Sequence, residues 1–207
     1  MNHVIYSHCF VTFFRIKLVT VGDLPVPTIT GPTPVCVNST SNVYVTEPSM
    51  TGYIWTVSAG GTITAGGTGT DNTVTVTWGI ASPQTVTVNY TNGSDYTAAA
   101  PTSKGITVNS LPVPTITGLT PVCIGTVGSV YTTEAGMTAY TWVVSAGGTI
   151  TSGGTFTDNT VTITWNTAGP QTVSVNYTNA TGCSATSPTV KPVTVNPLPT
   201  TSPIWHN

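Results

Sequence analysis

The sequence predicts an all-β protein built from two antiparallel β-sandwich domains in tandem. Three observations predict this fold: short segments in which apolar and polar residues alternate, turns rich in glycine and asparagine, and a long internal repeat. The predicted domains are residues 24–110 and 111–197. Because each is long enough to bury a core of its own, two domains fit the 207 residues better than one symmetric domain.

The repeat is defined by residues 24–31, whose sequence recurs unchanged at 111–118, an offset of 87 residues. The offset also pairs Cys36 with Cys123, Tyr44 with Tyr131, Tyr53 with Tyr140, Trp55 with Trp142, Trp78 with Trp165 and Tyr90 with Tyr177. Residues 1–23 are predicted to be a remnant of an upstream repeat or an unstructured N-terminal segment. Residues 198–207 are predicted to be the start of a following repeat or a disordered tail, so we expect the chain to come from a longer array.

Each repeat is predicted to contain about seven short strands. In residues 73–78 valine and tryptophan alternate with threonine, which places Val74, Val76 and Trp78 on one face of a half-buried strand. The segments interpreted in the same way are 84–90, 106–108, 160–165, 171–177 and 193–195. Seven antiparallel strands around a central tryptophan, Trp55 or Trp142, predict an immunoglobulin-like sandwich.

The composition excludes several classes of partner. Only 5% of the residues are charged, and the four basic residues are scattered, so no positive patch forms for nucleic acid or an anionic membrane surface. No apolar run approaches the roughly 20 residues needed to span a bilayer, so we expect no membrane insertion. Hydroxyl and amide side chains are therefore expected to be the main groups that interact with water at the surface.

Several short motifs resemble a known family. They are Pro-Val-Cys, Tyr-x-Trp, Gly-Gly-Thr-Ile, Thr-Val-Thr-x-Thr-Trp and Val-x-Val-Asn-Tyr, each present in both repeats. Together they resemble the PKD-like and immunoglobulin-like tandem repeats of large secreted bacterial surface proteins, from about residue 15 onward. The Trp-Asp-Phe-Gly-Asp-Gly core of a standard PKD domain is absent, since residues 55–60 and 142–147 differ from it, so the resemblance is to the looser PKD-like group.

Four cysteines allow three pairings, and the repeat favours one of them. The second repeat contains both Cys123 and Cys183, whereas the first has Cys36 and places Tyr96 opposite Cys183. The sequence therefore predicts a disulfide between Cys123 and Cys183, which implies an oxidising compartment. Cys36 is interpreted as a small buried residue or as a partner of Cys9.

The candidate site residues favour structural interpretations. Asp71 and Asp158 are isolated in sequence and are expected to shape turns rather than to form a catalytic pair or a calcium cage. The three histidines lie outside both repeats, so no catalytic or metal-binding residue and no cofactor is predicted. A calcium site near Asp23 and an ice-binding face of threonine ladders are the weaker alternatives.

The predicted function is that of a non-catalytic spacer repeat in an extracellular or cell-surface protein of the adhesin type, as the resemblance implies. Its expected partners are neighbouring repeats of the same parent chain. One alternative is a module that binds an extracellular glycan or protein through Tyr53, Tyr96, Tyr140 and the glycine-rich loops. Another is an accessory domain of a secreted enzyme.

Overall fold

A computed structural model describes residues 22–200, and all regular secondary structure in this range is β-strand. The first repeat contains β1 (Val35–Cys36), β2 (Asn42–Val45), β3 (Thr51–Val57), β4 (Gly61–Gly66), β5 (Thr73–Trp78), β6 (Ser82–Thr91) and β7 (Thr102–Asn109). The second contains β8 (Thr117–Gly118), β9 (Val122–Cys123), β10 (Ser129–Thr132), β11 (Thr138–Val144), β12 (Gly148–Gly153), β13 (Thr160–Trp165), β14 (Gly169–Thr178) and β15 (Thr189–Asn196).

The strands of each repeat form two sheets. In the first repeat the order is β1-β7-β6-β3 in one sheet and β2-β5-β4 in the other. In the second repeat the equivalent orders are β9-β15-β14-β11 and β8-β10-β13-β12. The extra strand β8 has a counterpart in the first repeat, where a single bridge joins Thr30 to Val45.

One pairing in each repeat is parallel, and the others in the two sheets are antiparallel. The short β1 runs parallel to the end of β7, with Val35 opposite Val108 and Cys36 opposite Asn109. In the second repeat Cys123 on β9 is likewise opposite Asn196 on β15. These cysteines therefore lie beside the residues at which the chain leaves each repeat.

The core follows the alternation seen in the sequence. Val74, Val76 and Trp78 of β5 are completely buried, while the threonines between them are partly exposed. The indole Nε1–H of Trp78 donates to the Tyr44 hydroxyl over 3.1 Å, so its polar group is satisfied inside the core. Trp165 and Tyr131 make the same contact over 3.2 Å in the second repeat.

The buried apolar residues form two separate clusters, one between positions 35 and 108 and the other between 122 and 195. The all-β, immunoglobulin-like tandem sandwich predicted from the sequence is therefore confirmed. The domain limits 24–110 and 111–197 stay predictions. The expected nature of the two ends concerns mainly residues 1–21 and 201–207, which lie outside the described residues.

Candidate functional site: the joint between the repeats

A carboxylate ties the segment that enters each repeat to the sandwich. The Thr28 backbone N–H donates to both carboxylate oxygens of Glu47 over 3.1 Å, and its hydroxyl donates to Oε1 over 2.5 Å. The Thr46 hydroxyl donates to Oε2 over 2.7 Å. Thr115 and Thr133 make the equivalent hydrogen bonds to Glu134. The sequence showed that these glutamates are equivalent but did not show their partners, which come from distant parts of the repeat.

These hydrogen bonds determine the charge state of the glutamates. Partial burial raises the pKa of Glu47, but the donors from Thr28 and Thr46 stabilise the carboxylate more strongly and lower the pKa to about 2. The pKa of Glu134 is lowered to about 2 for the same reasons. Burial, together with the nearby Glu47, raises the pKa of Tyr90 to about 12. The glutamates are thus stable anions with a structural role, unlike a general acid poised near neutral pH.

The tyrosines that the sequence offered as ligand-binding residues are mostly in the core. Tyr53 and Tyr140 are each only 4% exposed, and their hydroxyls donate to the backbone carbonyls of Glu47 and Glu134 over 2.7 Å. Tyr96 is half-buried beside the backbone of Gly22. Tyr53 and Tyr140 therefore have no free aromatic face to stack on a sugar.

The two aspartates shared by the repeats organise turns, in the geometry expected for them. The Asp71 carboxylate accepts the Thr68 backbone N–H over 3.0 Å and the Thr68 hydroxyl over 2.5 Å. Hydrogen bonds from Thr68 lower the pKa of this exposed Asp71 carboxyl group. The Asp71 carbonyl also accepts the indole N–H of Trp55 over 2.9 Å, which joins the turn to the core.

The predicted disulfide between Cys123 and Cys183 is wrong. Cys183 is bonded to Cys36, with 5.7 Å between the two Cα atoms, and among the described residues 22–200 Cys123 is a free, exposed thiol. Cys123 lies beside the last residue of β15, whereas Cys183 precedes the first residue of that strand. The eight residues of β15 separate these positions by roughly 20 Å, far beyond disulfide reach.

The disulfide therefore crosses the joint between the repeats. Cys36 lies at the exit of the first repeat, and Cys183 lies in the loop that connects β14 to β15 in the second. Cys36 is also neither a simple core residue nor a partner of Cys9. The position of each cysteine relative to the strand ends was the signal in the sequence that could have indicated this pairing.

Further contacts fasten the linker to the second repeat. Asn179 Nδ2 donates to the Ser110 carbonyl over 3.3 Å, and the Thr189 hydroxyl donates to the Pro114 carbonyl over 2.6 Å. Leu111 of the linker is half-buried, whereas the equivalent Leu24 is 51% exposed. The linker is thus held on both sides of its proline-rich centre.

Residues 22–200 contain few groups that could form another kind of site. Within this range no group of three or more His, Cys, Asp or Glu side chains is arranged to hold a metal ion. Two open grooves of about 280 and 260 Å³ are lined by apolar side chains, prolines, hydroxyl groups and one amide side chain, without a carboxylate or imidazole. The same part of the chain has no helix suited to crossing a membrane.

The fold and the joint define a class of protein: tandem immunoglobulin-like sandwiches, here with a covalent link between consecutive repeats. A model of the PKD-like domain matches residues 23–104 and again residues 109–191. The chain therefore belongs to the PKD-like domain family, which confirms the resemblance seen in its motifs. No curated protein matches the chain.

Several solved structures are similar over most of the chain. The D00–D0 domain of intimin has 16% identity and a TM-score of 0.41, covering 82% of this chain and 99% of that one. The fibronectin(III)-like modules of Clostridium thermocellum CbhA have 12% identity and a TM-score of 0.37, covering 88% and 100%. Domains 4 and 5 of the S-layer protein SbsC have 15% identity and a TM-score of 0.33, covering 84% and 100%.

Proposed function

We propose that this chain is a non-catalytic spacer segment of an extracellular, adhesin-type surface protein, in which a disulfide stiffens the joint between consecutive repeats. The observation that carries the proposal is the Cys36–Cys183 bond across the linker. A short proline-bearing linker alone permits bending between two sandwiches. A covalent link beside it limits that bending, which is useful in a chain that must present a distal domain at a distance.

The same bond supports the proposed location. Disulfides persist in oxidising surroundings outside the cytoplasm and are rare in reducing ones. The surface chemistry is compatible with this location, because threonine, serine and asparagine rather than charged residues solvate the strands. The location is tested by treating intact cells that make the parent protein with an external protease and following the loss of the repeat.

Stiffness is tested by small-angle X-ray scattering on the oxidised chain and on the Cys36→Ser variant. We expect the variant to show a broader distribution of intramolecular distances, because the second connection between the repeats is lost. Cys123→Ser is the matched control, since this cysteine is not part of the bond and its replacement should leave the scattering unchanged. Equal scattering from the oxidised chain and Cys36→Ser would contradict the spacer mechanism.

A further inference from the structure

Cys123 occupies the same place in the second repeat as the bonded Cys36 does in the first. Both follow a buried valine, both lie opposite an asparagine at the end of the last strand, and both belong to parallel two-residue strands. The residue after each cysteine donates its backbone N–H to that asparagine carbonyl over 2.9 Å. The backbone that presents the thiol is thus the same in the two repeats.

The exit of the first repeat shows what meets this surface. The loop between the last two strands of a repeat contacts parts of the chain that come before the repeat. In the second repeat, Cys183 of this loop forms the disulfide with Cys36, and Asn179 of the same loop donates a hydrogen bond to the Ser110 carbonyl. In the first repeat the ring of Tyr96, at the position equivalent to Cys183, lies against Gly22. The equivalent loop position therefore contacts an earlier part of the chain in both repeats: Tyr96 packs against Gly22, and Cys183 is bonded to Cys36.

At the exit of the second repeat, Cys123 corresponds to the bonded Cys36, and within residues 22–200 it has no disulfide partner. Cys123 is exposed where Cys36 is half-buried, and Asn196 is exposed where Asn109 is half-buried. Beyond Asn196 the sequence Leu198-Pro199 repeats the start of the linker at Leu111-Pro112. A repeat that begins at Leu198 would bring its own loop to Cys123, as the second repeat brings Cys183 to Cys36.

We infer that Cys123 is the attachment point for the following repeat of the parent chain, through a disulfide to the cysteine in the loop between the last two strands of that repeat. A second copy of this chain fits the site less well, because the equivalent loop position of its first repeat is Tyr96 and its Cys183 is already bonded. The inference goes beyond the spacer role of the first joint and does not depend on it.

The bond forms by two thiol–disulfide exchanges with a small disulfide such as oxidised glutathione. The Cys123 thiolate attacks one sulfur of this oxidant, forms a mixed disulfide and releases one glutathione thiol. The thiolate of the following repeat then attacks the Cys123 sulfur and displaces the second glutathione. Two cysteine thiols are oxidised, one small disulfide is reduced to two thiols, and the two protons of the cysteines pass to the leaving thiolates.

The test is a peptide map of the parent protein isolated from its source, digested without reduction after free thiols have been alkylated. We expect the Cys123 peptide to be linked to a cysteine peptide of the following repeat, with no alkylated Cys123. An alkylated Cys123, or one capped by a small thiol, would overturn the inference. The Cys36–Cys183 peptide in the same digest shows whether the first joint is intact, so failure at one joint is distinguishable from failure at the other.

A three-repeat chain tests the geometry separately. Residues 1–197 are followed directly by a second copy of residues 111–207 and refolded with reduced and oxidised glutathione. We expect Cys123 of the original second repeat to pair with Cys183 of the added repeat. Replacing that original Cys123 with serine should leave Cys183 of the added repeat as a free thiol and keep the Cys36–Cys183 bond. A free Cys123 in a three-repeat chain that has formed Cys36–Cys183 would also refute the inference.

Discussion

Glu47 and Glu134 connect two parts of each repeat that are far apart in sequence. Each accepts hydrogen bonds from a threonine of the entering segment and from the threonine that precedes it in the chain. Tyr177 also donates to Glu134 over 3.1 Å. Because several donors converge on one carboxylate, its negative charge is part of the folded structure.

Replacing Glu47 with glutamine should destabilise the first repeat. An amide cannot accept at both ends, so donors of Thr28 or Thr46 lose their partner, at a cost of about 1–3 kcal/mol. The measurement is chemical denaturation at pH 7, followed by tryptophan fluorescence. Asp95→Asn, at an exposed loop position, is the control and should leave the midpoint unchanged; an equal loss in both variants would contradict the role of Glu47.

The same glutamates predict a dependence of stability on pH. Their folded pKa of about 2 lies below the ordinary value of 4.5, so the unfolded chain binds more protons at intermediate pH. The stabilisation is complete above about pH 4.5 and is lost as the pH falls towards about 2. Denaturation midpoints measured from pH 7 to pH 2 should fall less steeply in the Glu47→Gln, Glu134→Gln double variant, and parallel curves would exclude these groups as the cause.

Gly31 lies where a side chain does not fit. Its φ of +149° is unfavourable for other residues, and an added Cβ would lie 2.8 Å from the Val43 carbonyl oxygen and against the Tyr44 ring. Gly31→Ala should therefore destabilise the first repeat by about 1–3 kcal/mol, measured by thermal or chemical denaturation. Gly105 has no atom within 4 Å of the equivalent Cβ, so Gly105→Ala should be neutral or slightly stabilising, and similar losses in both variants would disprove this explanation.

At the scale of elements, the last strand of each repeat holds the linker that enters the repeat. The Thr102 hydroxyl on β7 donates to the Pro27 carbonyl over 2.6 Å, as Thr189 on β15 does to Pro114. Both prolines are buried. A buried carbonyl that loses its donor is costly, so this hydrogen bond is one of the contacts that fasten the linker.

Thr189→Val should loosen the linker of the second repeat. The change keeps the shape of the side chain but removes the donor to Pro114, at a cost of about 1 kcal/mol. Amide hydrogen exchange at Val113 and Thr115 should become faster, while exchange in the core of β13 should change little. Thr186→Val is the control, since Thr186 is exposed and forms no side-chain hydrogen bond in residues 22–200; unchanged exchange in Thr189→Val would contradict the fastening role.

At the scale of the whole molecule, the disulfide joins residues that are 147 positions apart in sequence. A closed loop of this length restricts the unfolded chain, and the chain-entropy model assigns it up to about 5 kcal/mol when both repeats unfold. The bond should therefore couple the unfolding of two sandwiches that have separate cores.

Cys36→Ser should lower the denaturation midpoint of the oxidised chain and make the two repeats unfold more independently. The expected loss in the summed free energy of unfolding is at most about 5 kcal/mol. Differential scanning calorimetry resolves the transitions, and Cys123→Ser provides the control with the bond intact. Identical thermograms for Cys36→Ser and Cys123→Ser would show that the bond does not couple the repeats.

Much of the fold was predictable because its signals are local. A strand that is buried on one face requires alternation with a period of two, and residues 73–78 and 160–165 display it without interruption. The repeat of 87 residues then showed that the two halves share one fold. The turn role of Asp71 was also predictable, since its partner Thr68 lies only three residues away.

The candidate site was predictable only in part. Cys183 was correctly expected to form a disulfide, but its partner was not, and the partners of Glu47 were not foreseen. The Thr28 donor lies 19 residues from Glu47 in the chain. Such contacts depend on which strand ends lie side by side, and this information is not contained in local periodicity.

The sequence by itself determined that this chain is a tandem of β-sandwiches with buried valine and tryptophan, because burial alternates along each strand and is visible residue by residue. Only the tertiary structure decided that Cys183 bonds to Cys36 rather than to Cys123. The reason is distance: Cys123 and Cys183 lie at opposite ends of β15 within one repeat, whereas the exit of the first repeat brings Cys36 next to the loop of the second.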